Sequence, residues 1–230
     1  MESDFDPIYF YDEVARIYDR DTHPEILDPN SAYHRGFSSL INTLDPKSIL
    51  EIGCGTGKRI KALVAYYDSI DKPLPQIIGT DPSAKMLSHI PDAVRARVTL
   101  LNTDNTQNLA DKSFDLTLTS GVLCSVNLES AISICSECLR ITNSFIVHVD
   151  TPKDAPHLND LDFLEYFTKS GLKLIYWNTI YPHPIDKDAE HQIILKTTGE
   201  NYLPSKFPIR HKKAKYDQAW DTLLQDRLKR

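Results

Sequence analysis

The chain has 230 residues, 41% of them hydrophobic and 25% charged, with a formal net charge of −6 and a pI near 5.7. That length suits one large α/β domain whose core needs neither disulfides nor metal, and the composition excludes disordered and fibrous classes. The acidic balance argues against a surface built as a whole for nucleic acid; no run of about 18 apolar residues and no apolar amino-terminal segment signals a membrane span or export, so a cytoplasmic protein is expected.

In chain order, Ile8 to Asp19 place Tyr11, Val14, Ala15 and Tyr18 on one helix face, and Ser31 to Leu44 form a second helix that Asp45-Pro46 stops. Strand and helix then alternate. Ser48–Ile52, Gln76–Thr80, Val98–Leu101, Phe114–Thr119 and Ser144–Val149 read as strands. Lys58–Tyr67, Ser83–His89 (capped by Asp81 or Ser83) and Leu128–Ile141 read as helices. This rhythm predicts a doubly wound, mostly parallel sheet. A helix at about Leu158–Ser170 precedes strands Leu172–Ile180 and His191–Thr197, whose connection contains Pro182 and Pro184 but no helix, so an antiparallel pair should end the sheet. The divisions expected are residues 1–46 as helices ahead of the core, 47–200 as the core, and 201–230 as a tail. From Leu203 the tail carries eight Lys/Arg against three Asp, and Tyr216, Trp220, Leu223 and Leu224 suit one helix face.

Cys54 and Cys124 fall in buried turns or strands. Cys135-x-x-Cys138 lies inside a helical pattern with no second ligand pair at zinc spacing, so packed thiols are expected and no metal.

The chemistry gathers at the carboxyl ends of the strands. Gly53-x-Gly55-x-Gly57 joins the first strand to a helix, where backbone approaches a ligand and helix N–H groups stand unpaired. It departs from the Gly-x-Gly-x-x-Gly of dinucleotide sites, and Glu51, two residues earlier, would repel a pyrophosphate while suiting an ammonium group. Asp81 ends the second strand, where a carboxylate can accept both hydroxyls of a ribose. Asp104 and Asn105 follow the third strand and can pair with an adenine edge, with Pro82 and Met86 as apolar walls.

Together, Ile49-Leu-Glu-Ile-Gly-Cys-Gly-Thr-Gly57, Gly79-Thr-Asp-Pro-Ser83 with Met86-Leu87, and Asp111-Lys-Ser-Phe-Asp115 followed by Gly121-Val-Leu123 resemble the class I S-adenosylmethionine-dependent methyltransferases, over about residues 48–150. The resemblance implies an α/β Rossmann-like sheet of seven strands with the last antiparallel. It implies S-adenosyl-L-methionine held by Glu51, Gly53, Cys54, Gly55, Gly57, Asp81, Pro82, Met86, Asp104, Asn105 and Ser120. Relatives often carry Gly-Asp-Ala after the third strand, where this chain has Asn102-Thr103-Asp104-Asn105.

The fourth strand ends Thr119-Ser-Gly-Val-Leu-Cys-Ser125, without the Asn/Asp-Pro-Pro-Tyr used on amide and base nitrogens or a Pro-Cys or Thr-Cys nucleophile, which makes a nucleic-acid acceptor less expected. The two leading helices resemble the lid of small-molecule members and so point to a small-molecule acceptor instead; by that resemblance Tyr11, Tyr18, Tyr33 and Arg35 face the cofactor carboxylate or the substrate, with Cys124 in the acceptor pocket. His148 is the candidate general base for a hydroxyl acceptor, with a structural role the alternative for it and for His34. Other functional readings stay open: a protein or RNA methyltransferase using the basic tail, or a cofactor-binding module that transfers nothing. The tail also offers a homodimer contact.

Overall fold

Strand pairing in the computed structural model, which describes residues 7–19, 24–150, 160–180 and 190–197, gives one seven-stranded sheet. The strands are β1 (Ser48–Ile52), β2 (Gln76–Asp81), β3 (Thr99–Asn102), β4 (Phe114–Ser120), β5 (Thr142–Asp150), β6 (Lys173–Ile180) and β7 (Glu190–Lys196), in spatial order β3-β2-β1-β4-β5-β7-β6. β1 to β5 pair in parallel, and β7 runs antiparallel to both neighbours. The expected doubly wound sheet with an antiparallel last strand is therefore the fold.

The helices are α1 (Pro7–Tyr18), α2 (Pro24–Leu27), α3 (Ala32–Leu44), α4 (Lys58–Ser69), α5 (Ala84–Ser88), α6 (Asp92–Arg95), α7 (Leu128–Ile141) and α8 (Asp160–Lys169). Local chemistry sets their ends. The Ser31 hydroxyl caps α3, and Asp45 stops it in the left-handed region at φ 48° ahead of Pro46. Asn127 caps α7 by accepting from the Ser130 amide at 2.9 Å. Ser83, rather than Asp81, caps α5, accepting from the Met86 amide at 3.0 Å.

Alternation along the strands splits the core in two. Phe37, Ile41, Ile49, Ile60, Leu63, Leu118 and Val149 fill one face with α3 and α4. Leu50, Ala131, Cys135, Cys138, Phe163, Phe167 and Ile193 fill the other with α7 and α8. Cys135 and Cys138 are wholly buried, and burial pushes the Cys138 thiol up to about 12. Among the described residues no helix is long and apolar enough to cross a membrane. Residues 201–230 with Tyr216, Trp220, Leu223 and Leu224, the helix start at Leu158, and Pro182 and Pro184 lie outside the described residues.

Candidate active site

The strand order reverses between β1 and β4, and at such a point the crossovers leave on opposite faces and open a crevice at the carboxyl ends. A cavity of about 910 Å³ lies there, at the upper end of the roughly 300–1,000 Å³ that a bound ligand fills.

The turn after β1 forms its wall. Gly53 has φ +69°, and a Cβ on it would stand 2.5 Å from Cγ2 of Val122, so this position requires glycine both conformationally and sterically. The turn is fastened to β2: the Cys54 amide donates to the Thr80 carbonyl at 2.9 Å, and the Gly55 amide donates to Oδ2 of Asp81 at 2.8 Å. The other carboxylate oxygen of Asp81 accepts from the Ser83 amide at 2.9 Å. Burial holds Asp81 above the usual carboxylate range against these two bonds. Each oxygen keeps a second lone pair for a ligand. Met86 packs under Gly55, and burial pushes the Cys54 thiol far above its ordinary value.

Glu51 lies inside this wall, 2% exposed. Burial pushes its carboxyl up to about 8, with Arg59 pulling down and Asp81 pushing up. Its buried Oε2 has no hydrogen-bond partner among the described residues. Arg59, on the first turn of α4, is 4% exposed. Its guanidinium lies over the rings of Phe37 (4.6 Å) and Tyr33 (4.8 Å) and donates to the Tyr33 hydroxyl and, at 3.2 Å, to Oγ of Ser120.

The far end of β2 is tied to β3 by Asn102, whose Nδ2 donates to the carbonyls of Asp81 (3.0 Å) and Pro82 (2.7 Å). Beyond it Asp104 lines the cavity from an exposed loop. Arg140 of α7 fixes that loop through the Thr106 carbonyl at 3.0 Å.

α1 covers the opening, and it and the Asp19 that follows it are fastened to three of the strand ends. The Tyr11 hydroxyl donates to Ser125 at 2.8 Å, Asp12 accepts from Ser83 at 2.5 Å, and Asp19 accepts from Thr56 at 2.9 Å. The ring of Tyr18 lies 4.3 Å from the Lys58 ammonium, and burial pushes its phenol far up. His34 reaches the Ile26 carbonyl through Nε2 at 2.7 Å, and burial lowers it to about 4.

Of the residues expected at the site, Glu51, Gly53, Cys54, Gly55, Asp81, Pro82, Met86, Asp104, Ser120, Tyr11, Tyr18, Tyr33 and Cys124 line one cavity. Four stand elsewhere. Gly57 is the left-handed N-cap of α4 (φ +73°), and Ile90 occupies the space of its missing side chain. Asn105 is exposed, and its Oδ1 closes a turn by accepting from the Gln107 amide at 2.8 Å. Arg35 is exposed, because the helical rotation that turns Tyr33 and His34 inward turns it out. His148 lies below the cavity, its Nδ1 paired with Thr119 Oγ1 at 3.0 Å and its ring stacked on Phe163 at 4.0 Å. Asp150, two residues on and so on the same strand face, takes the lining position instead. Arg59, Asn102 and Asp150 are the lining or supporting residues that the motifs did not disclose.

Residues 50–147 match the family model described as "Methyltransferase domain". No curated protein matches the sequence. Solved structures share the fold at low identity. Magnesium protoporphyrin IX methyltransferase (ChlM) from Synechocystis PCC 6803 with bound SAM is 14% identical with a TM-score of 0.63, covering 86% of this chain and 100% of its own. The [4+2]-cyclase SpnF is 13% identical with a TM-score of 0.60, covering 83% and 94%. The plantazolicin methyltransferase BpumL, in complex with a desmethylPZN analog and SAH, is 17% identical with a TM-score of 0.56, covering 80% and 90%. With the domain model lying across β1 to β5 and the strand order continuing through β7 to β6, the chain carries a methyltransferase-domain match over residues 50–147 and shares its fold with S-adenosylmethionine-dependent methyltransferases.

Proposed function

We propose that the chain transfers the methyl group of S-adenosylmethionine to a small-molecule acceptor enclosed beneath α1. The observation that carries this reading is a single cavity, lined by the glycine turn, Glu51, Asp81 and Asp104 and roofed by α1, which with the following Asp19 is bonded to three strand ends.

The cofactor fits the residues present. Glu51 keeps an unpartnered buried oxygen that suits an ammonium group. Gly53 and Gly55 bring bare backbone to the cavity, Asp81 has acceptor capacity for a ribose, and Asp104, Pro82 and Met86 stand where an adenine would lie. When bound, the sulfonium supplies a methyl group already activated for in-line displacement. The protein's part is to hold the nucleophile in line at roughly 3–3.5 Å and to exclude water. The ties of Tyr11, Asp12 and Asp19 serve that exclusion. A roofed cavity favours an acceptor that enters whole, and two of the structural neighbours are named for compounds of that kind, magnesium protoporphyrin IX and plantazolicin.

Calorimetry with S-adenosylmethionine on the wild type and on Asp81→Ala tests the reading. Binding to the wild type and its loss in the variant are expected; equal binding refutes the site. Tight binding with no S-adenosylhomocysteine formed across a broad acceptor panel would instead indicate a binding module.

A further inference from the structure

One lining carboxylate is left unused by the cofactor assignment. Asp150 closes β5, is 4% exposed and lines the cavity. Its Oδ2 accepts from the Cys124 amide at 3.2 Å, in the short turn after β4. The Nε2 of His148 stands 4.0 Å behind it, and His148 is itself fixed by Thr119 and Phe163. The Cys124 amide thus ties this carboxylate of β5 to the turn after β4 at the cavity wall. The Tyr11 hydroxyl is bonded to Ser125, next to the Cys124 whose amide meets Asp150, and Asp150 lines the same cavity as Asp81.

The lining charges are unevenly placed. Glu51, Asp81, Asp104 and Asp150 are the lining acids, and Lys58 and Arg59 the lining cations among the described residues. Both cations belong to the first turn of α4, where Lys58 stands 3.9 Å from Asp19 and Arg59 holds Tyr33 and Ser120. The wall formed by the ends of β4 and β5 offers a carboxylate and hydroxyls, with Tyr11 of α1 bonded to it at Ser125.

We infer that Asp150 receives the acceptor and that the acceptor is an amine, entering as its ammonium form; this rests on the methyl-transfer reading above. A carboxylate acceptor would meet like charge at this wall. A carboxylate is too weak a base to ionise an ordinary alcohol, whereas an alkylammonium, with a pKa near the lysine value of about 10.4, is both attracted to it and able to lose a proton. In the step, the ammonium gives one proton to Asp150. The freed nitrogen lone pair forms the N–C bond as the C–S bond breaks, with its electron pair passing to sulfur. The positive charge moves from sulfur to the methylated nitrogen, and Asp150 returns its proton to solvent as product leaves.

The test is a matched panel of primary and secondary amines with their carboxylate and hydroxyl counterparts, read as S-adenosylhomocysteine formed by the full chain. Binding of the best amine to protein loaded with S-adenosylhomocysteine is measured by calorimetry alongside. Turnover confined to amines is expected, with Asp150→Asn weakening both amine binding and kcat/KM at least tenfold while S-adenosylhomocysteine affinity stays within twofold. Turnover of carboxylates or alcohols in preference to amines, no turnover of any amine by protein that binds the cofactor, or amine turnover unchanged in Asp150→Asn overturns the inference. If Asp150→Asn does not fold, the panel on the wild type decides alone. Failure of the wild type to bind cofactor overturns the parent reading instead.

Discussion

The backbone amide of Gly55 donates to the carboxylate of Asp81, 26 residues away in sequence, at 2.8 Å. This bond makes the glycine turn and the end of β2 one unit, so the turn's shape and the carboxylate proposed to face the ribose are set together.

Asp81→Ala removes the acceptor for both Gly55 and Ser83. With hydrogen bonds to a charged group worth about 1.5–3 kcal/mol each, a loss of at least tenfold in cofactor affinity is expected, accompanied by a lower unfolding temperature. Asp81→Asn, which keeps one acceptor oxygen, should fall between the two in both measurements.

With Glu51 proposed to meet the cofactor's ammonium group, cofactor binding should depend on pH. Its folded value, about 8, lies above the ordinary 4.5 because the group is buried. At pH 7 the free protein therefore holds it mostly protonated, and pairing with an ammonium group requires it to ionise. Calorimetry at pH 7 in two buffers of different ionisation enthalpy should show proton release on binding, and affinity should rise with pH until it levels above about 8. The sign for stability is opposite: the contribution of a raised pKa is complete below 4.5 and is lost as pH rises through 8. The free wild type should unfold at lower temperature at pH 9 than at pH 6, and Glu51→Gln should remove most of this difference while losing cofactor.

Gly53→Ala combines two penalties that a double-mutant cycle separates. The positive φ costs a residue with Cβ about 1–2 kcal/mol, and the clash with Val122 adds to it. In a Val122→Ala background the γ carbons that press at 2.5 and 3.3 Å are gone and the nearest contact is the Cβ at 3.5 Å. Denaturant titration should then show the Gly53→Ala cost falling to the backbone penalty alone.

Tyr11→Phe removes one of the three ties made by α1 and the Asp19 that follows it. A neutral hydrogen bond contributes about 0.5–1.5 kcal/mol, so the unfolding midpoint should change little. Dissociation of the cofactor, followed by stopped flow, should quicken by about two- to tenfold, because the lost tie spans the opening.

The parts that sequence disclosed are those whose meaning is local. α7 spans Leu128–Ile141 as its periodicity and Asn127 cap require, and β1 matches its apolar run end to end. α2 and α6, four residues each, are too short for a 3.6-residue period to register. In the site, Gly53, Glu51 and Asp81 stand at fixed spacings along the chain. Arg59 belongs to no motif, and only its place in the buried i, i+4, i+8 row of Arg59, Leu63 and Tyr67 marks it. Asp150 depends on where β5 ends: a strand stopped at Val149 leaves His148 as the end of its face, and the structure extends β5 by one residue to place the carboxylate one period on.

The last strand in sequence lies inside the sheet, between β5 and β6. On the ribosome this imposes an order. Every residue proposed to touch cofactor or acceptor precedes position 151, yet β5 keeps a bare edge until Glu190–Lys196 emerges to pair with it. At translation rates of about 5–20 residues per second, that edge, carrying Phe145, Val147 and Val149, waits roughly 2 to 10 s for its partner. A nascent chain therefore passes through an interval in which a nearly complete site is joined to an adhesive strand, and a product truncated before β7 should aggregate rather than accumulate as a smaller enzyme.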